Sequence, residues 1–256
     1  MLPFVQFGSV IIPAMSEVAI SMISQYSLPI GLKATAADFP WAKTARATFT
    51  LLRLAKKCVF VTCHHVLSEF WNLQKVDSSA EMVAYLTSGS TFCELNGFRI
   101  IADDDRVDVA IFGGLEDIVE ILGHDFIDYE SCYLHDPAPG EPVSIVGYPS
   151  GNVTVTQKLA DFGYMHLGLR ASSVSDRQIT LANEHGDRHF IDFAIHRRGK
   201  IDLGGLSGSP AFVIRNHEYR FVGIVSECHE RDRTIIISRL GCINPDGTLD
   251  YTRIPW

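Results

Sequence analysis

Apolar positions along this chain fall in short bursts, with few long periodic stretches. Runs rich in β-branched and aromatic residues occupy positions 48–52, 58–62, 98–101, 107–112, 143–147, 153–156, 178–181, 190–195, 211–214, 221–225 and 234–238, separated by Gly, Pro, Asn and Asp. Many short strands between turn signals predict an all-β barrel or sandwich. Helical periodicity is confined to 66–73, 116–122 and part of 16–24, so few short helices are expected.

The segment 136–142, Asp-Pro-Ala-Pro-Gly-Glu-Pro, suits neither a helix nor a central strand and reads as a linker. It separates two strand-rich halves, 31–135 and 143–245, preceded by an apolar N-terminal segment, 1–30, expected to pack on the body, and followed by a tail, 246–256. A chain of 256 residues can hold two barrels of about 100 residues each. No internal repeat, low-complexity tract or heptad pattern is apparent.

Charge and composition narrow the function classes. A net charge of -8, with Lys and Arg scattered, disfavours a nucleic-acid partner. The six cysteines, Cys58, Cys63, Cys93, Cys132, Cys228 and Cys242, lack framework spacing, so free thiols in a reducing compartment are expected. Residues 1–32 are apolar and contain no Lys or Arg, yet Pro3, Gln6, Pro13, Glu17 and Gln25 interrupt them. That pattern fits neither an export signal nor a membrane span, and a cytoplasmic protein without membrane attachment is the expectation.

Three segments could carry chemistry. Gly205-Leu206-Ser207-Gly208-Ser209-Pro210 offers a hydroxyl among glycines that let backbone N–H groups turn inward, which a serine nucleophile and its oxyanion both need; a Gly/Ser-rich hairpin loop has the same composition. Val61-Thr62-Cys63-His64-His65-Val66-Leu67 carries a strand into a histidine pair and a short helix. Adjacent side chains point apart and no matching ligand cluster is apparent, so a core or surface role competes with a general base, and no metal is expected. Asp108-Val109-Ala110-Ile111-Phe112 sets one carboxylate at a strand entrance, where it can accept a histidine N–H; Asp103, Asp104 and Asp105 look like a surface turn.

In the order His, Asp, Ser, these segments resemble the trypsin-like (chymotrypsin-fold) serine peptidases, most closely bacterial trypsin-like and HtrA-like catalytic domains. The match covers Val61 to Val66, Asp108 to Ile111 and Gly205 to Pro210, with separations of 43 and 99 residues between His65, Asp108 and Ser207. The stretch 143–151 also resembles the strand and turn that open the second barrel in that group. The α/β-hydrolases run in another order and place a helix after the nucleophile, whereas a strand follows Ser207.

The resemblance implies two six-stranded antiparallel β-barrels and a serine endopeptidase acting on peptide or protein substrates without a cofactor. His65, rather than His64, becomes the base, Asp108 its partner, Ser207 the nucleophile, and the Gly205 and Ser207 amides the oxyanion hole. Ser226, Glu227 and Cys228 would edge the substrate pocket. Ile201 would lie near its base and favour an uncharged side chain on the acyl side of the scissile bond. Departures are equally informative. Leu206 stands where digestive members carry an aspartate that receives a freed N-terminus, and Val66 where secreted members place a cysteine. No PDZ-like domain is expected after Leu240. The competing expectation is a binding or regulatory module that keeps the fold with a silent or latent site.

Overall fold

The computed structural model describes residues 4–7, 10–13, 24–33, 46–55, 57–85, 92–95, 98–114, 119, 124–129, 136–149, 153–155, 160–162, 165–182, 190–191, 203–215, 218–229 and 234–254. The first half contains strands β1 (Phe4–Phe7), β2 (Val10–Pro13), β3 (Ser27–Lys33), β4 (Arg46–Leu54), β5 (Lys57–Thr62), β6 (Glu81–Tyr85), β7 (Phe92–Glu94), β8 (Arg99–Asp104), β9 (Val109–Gly113) and β10 (Ile127–Asp128), with helix α1 (His64–Val76) between β5 and β6. The second half contains β11 (Pro142–Gly147), β12 (Val153–Val155), β13 (Ala160–Phe162), β14 (Met165–Val174), β15 (Gln178–Ala182), β16 (Phe190–Ile191), β17 (Pro210–Arg215), β18 (Glu218–His229) and β19 (Thr234–Ser238).

The first sheet runs β7-β6-β3-β4-β5-β9-β8, with β10 added parallel to β4, and curls around an aromatic core. Phe49 meets Phe60 and Phe112 edge-on at 5.7 and 5.3 Å, and Phe98 meets Phe112 at 5.4 Å, the offset geometry that aromatic quadrupoles prefer. The second sheet runs β11-β17-β18-β19-β15-β14 and closes, because β11 pairs with β14 from Val143↔Leu169 to Gly147↔Met165. This six-stranded barrel holds its own core of Val143, Ile145, Leu181, Leu206, Val213 and Ile237. Together the curled sheet and the closed barrel form the expected chymotrypsin-like double barrel.

Among the strands that the sequence did not lead one to expect, two have reasons visible in their residues. In β3, Pro29 and Gly31 break the β-propensity signal, yet both edges are paired, to β4 and β6. In β14 a bulge between Ala171 and Ser173 spoils the alternation. Helix α1 extends the expected 66–73 at both ends and buries Val66, Leu67 and Phe70. Of the other two expected helices, only Ser24 and Val119 fall within the described residues, as do only 190–191 of the expected strand 190–195. Among the described residues no helix is long and apolar enough to cross a membrane.

The barrels meet along β4 and β5, where Thr48 and Thr50 satisfy main-chain groups of the opposite half and Thr62 braces Thr48. Thr48 N–H donates to Ser207 O (2.9 Å), and the Thr48 and Thr50 hydroxyls donate to the carbonyls of Gly205 (3.0 Å) and Gly208 (2.6 Å). Thr62 Oγ1 donates to Thr48 O at 2.9 Å. All three threonines are fully buried, so each hydroxyl offsets a carbonyl that would otherwise be desolvated without a partner.

His166 is a buried group that lacks such compensation. On β14 opposite Val146, it is 4% exposed, and among the described residues neither ring nitrogen has a hydrogen-bond partner. Burial pushes its pKa down to about 4. A histidine depressed in the folded state contributes stability above its unfolded pKa and loses it as the pH falls, here between about 6.5 and 4. Between pH 7 and 4.5 the protein should lose about 2 to 3 kcal/mol through this group. Urea unfolding of wild type and His166→Phe at both pH values checks it; an undiminished pH dependence in the variant would refute the assignment.

Candidate active site

His65 stands in the first turn of α1, directly after β5. Pairing of β5 with β4 and β9 fixes the strand, and the buried Val66, Leu67 and Phe70 fix the helix. Asp108 ends the turn between β8 and β9 with φ +50°, a left-handed conformation that aspartate tolerates better than most side chains. The turn is held by Asp104, whose carboxylate accepts from Arg106 N–H (2.9 Å) and pairs with its guanidinium. Contrary to the expectation of a surface turn at 103–105, Asp103 and Asp104 complete β8 and Asp104 is buried; only Asp105 is exposed.

These elements bring the three expected side chains into one hydrogen-bonded chain. Asp108 Oδ2 lies 2.8 Å from His65 Nδ1, Asp108 Oδ1 accepts from His65 N–H at 2.9 Å, and His65 Nε2 lies 3.0 Å from Ser207 Oγ. The hydrogen bond to Asp108 raises the His65 pKa above the ordinary imidazole value, against burial, which lowers it. Burial alone would raise the Asp108 carboxyl, but the His65 side chain and N–H outweigh it and hold the group below the usual carboxylate range.

Comparison with solved structures returns proteases at low sequence identity. The protease Anisep of Arthrobacter nicotinovorans is 11% identical over 90% of this chain and 94% of that one, with a TM-score of 0.47. A thermostable serine protease from an extremophilic microorganism is 12% identical over 90% and 97%, with a TM-score of 0.48. The serine protease domain of the Sesbania mosaic virus polyprotein is 12% identical over 83% and 88%, with a TM-score of 0.44. No family model matches the chain, and no curated protein matches it in sequence.

Around Ser207 the loop is shaped by two left-handed glycines, Gly205 (φ +89°) and Gly208 (φ +85°). Its carbonyls at 205 and 207 turn towards Thr48, and its amides at 206, 208 and 209 donate to Leu203, Val225 and Leu206. The amides of Gly205 and Ser207 make no hydrogen bond among the described residues. Leu206 is fully buried in the second core, which explains an apolar residue just before the serine.

A cleft of about 560 Å³ opens beside His65 and Ser207, lined by Leu203, Gly204, Ser226, Glu227, Cys228 and His229. Ser226, Glu227 and Cys228 thus border this cleft, although Ser226 is buried and its hydroxyl donates to Ile236 O at 3.2 Å. Ile201 lies outside the described residues. Leu203, Gly204 and His229 escaped the sequence reading. They continue the segments already singled out, and that continuity was the available signal.

Behind the histidine lies Cys63, buried, with its thiol donating to Val225 O at 3.1 Å. Burial and then the Asp108 charge push its pKa well up, so it stays a neutral thiol. Cys63, His65 and Asp108 place potential metal-ligand atoms within 4.8 Å of one another, but Asp108 and His65 are already joined through Nδ1, and a protonated thiol is a poor ligand. His64 points elsewhere: its Nε2 lies 3.0 Å from Ser68 Oγ and its Nδ1 3.3 Å from Asp103 Oδ2. Cys58, Cys63, Cys228 and Cys242 are unbridged.

Proposed function

We propose that this protein is a serine endopeptidase that cleaves peptide or protein substrates through an acyl-enzyme. The observation that carries the reading is the continuous Asp108–His65–Ser207 chain, drawn from three distant segments and ending at an open cleft. Ser207 Oγ attacks the scissile carbonyl as His65 Nε2 takes its proton. Asp108 holds the Nδ1–H tautomer and stabilises the imidazolium. His65 then protonates the leaving amine, and water, deprotonated by the same imidazole, releases the acid.

The uncommitted N–H groups of Gly205 and Ser207 support their role as oxyanion donors, since the neighbouring loop amides and carbonyls are already bonded. A strand-like substrate also has a place to lie. Pairing of β18 with β17 stops at Ile224, and beyond it, among the described residues, β18 has only β19 as strand neighbour, up to His229. An extended peptide laid along residues 226–229 would gain main-chain hydrogen bonds beside Ser207. The chemistry uses only protein groups and needs no cofactor.

Because the base works as a neutral imidazole, its raised pKa sets the acid limb of activity. The kcat/KM profile should fall with a midpoint above the ordinary imidazole value near 6.5. In Asp108→Asn the residual activity should show that limb moved downward. A fluorophosphonate probe tests the proposal directly: one adduct per chain, mapped by mass spectrometry to Ser207 and accompanied by peptide turnover, is expected. Folded protein that neither labels nor cleaves would identify a silent protease-fold module.

A further inference from the structure

The cleft carries one charged pair that the proposed chemistry does not use. Glu227 lies on the stretch of β18 that has passed beyond β17, and it lines the cleft together with His65 and Ser207. Its carboxylate is half exposed and pairs with His229 Nε2 at 2.8 Å, on the same strand. Glu69, exposed and one turn after His65 on α1, adds a second carboxylate from the other barrel. Both act on the His65 imidazole and raise its pKa, which puts both within electrostatic reach of the reacting centre. Among the described lining residues there is no Lys or Arg.

On the reading just proposed, we infer that Glu227 selects a lysine or arginine side chain on a substrate residue near the scissile bond, displacing His229 as its partner. An imidazole is a weak resident counter-ion, whereas ammonium and guanidinium groups carry a full charge and several donors. A cation arriving with an extended peptide along residues 226–229 finds a half-solvated carboxylate without first breaking a buried ion pair. The Glu69 carboxylate, one turn from His65 on α1, adds negative charge on the His65 side of the cleft. Glu227 shares this cleft with Leu203, Gly204 and Cys228, and among the described lining residues it is the one carboxylate.

The test is a set of quenched peptides differing at one position at a time, lysine against norleucine, so that length is kept and charge alone changes. Wild type should prefer lysine by about 5- to 10-fold in kcat/KM at one position of the peptide, the range expected of a partly exposed charge pair. Glu227→Gln should bring that ratio to about one, and Glu227→Lys should reverse it in favour of glutamate. The preference should shrink at 0.5 M salt, where screening is stronger.

Three results would overturn the inference. Turnover with no lysine preference at any position refutes the subsite while leaving the peptidase reading intact, and assigns Glu227 a solubilising role on an exposed strand. A preference that survives Glu227→Gln places the selectivity elsewhere. Absence of both probe labelling and turnover in folded wild type removes the peptidase reading and the subsite with it.

Discussion

Ser207→Ala should lower kcat about a million-fold while leaving the unfolding curve unchanged. The hydroxyl is the group that forms the proposed acyl bond, and its structural part is small: Ser207 Oγ touches only His65 Nε2 among the hydrogen bonds described, and the loop is held by backbone. Asp108→Asn should cost roughly ten-thousand-fold. Asparagine tolerates the φ of +50° at that position, so the turn survives, but its amide faces Nδ1 and favours the wrong tautomer. Because the three side chains act as a unit, adding His65→Ala to Ser207→Ala should cost almost nothing more. Steady-state kinetics on the singles and the double, with urea curves for each, check the set. Retention of more than about one per cent of kcat in Ser207→Ala, against the million-fold loss expected, would mean that another residue is the nucleophile.

Gly208→Ala should be strongly destabilising, costing about 3 to 5 kcal/mol. At φ +85° an L side chain is strained, and a Cβ there would sit 2.0 Å from Thr48 O and 2.4 Å from Thr62 Oγ1. Neither atom can retreat cheaply, since Thr62 Oγ1 donates to Thr48 O and both lie in the seam between the halves. Gly140→Ala is the matched control. Its φ is +82°, but nothing lies within 4 Å of the added methyl, so only the backbone strain of about 1 to 2 kcal/mol remains. Thermal and urea unfolding of the two variants should differ by several degrees; equal losses would show that the seam yields. Activity should fall with stability in Gly208→Ala alone, because residue 208 follows Ser207, the proposed nucleophile.

Much of this was legible in the chain. Short β-branched runs with turn punctuation specify an all-β fold because a strand needs only a few apolar residues on one face. The three chemical segments were readable for a related reason: a base, an orienting carboxylate and a nucleophile each require a particular local backbone, and that requirement leaves a short signature. Glycines flank Ser207, and apolar strands adjoin His65 and Asp108. Where sequence reasoning failed, the cause lay in context. β3 pairs on both edges despite Pro29 and Gly31, and Asp104 is buried because Arg106 neutralises it, not because its neighbours are apolar.

By itself, then, the sequence determined the class of fold, the strand-rich halves and the identity of the three side chains that meet. Only the tertiary structure decided that they meet, at 2.8 and 3.0 Å, since that depends on β5, the β8–β9 turn and the loop before β17 being brought together from positions 43 to 142 residues apart. It also decided what Thr48, Thr50 and Thr62 are for, where strand β18 parts from β17, and that Glu227 faces the same cleft as His65. The physical reason is that local propensity is written in neighbouring residues, whereas hydrogen-bond partners and electrostatic surroundings come from chain that is distant in sequence.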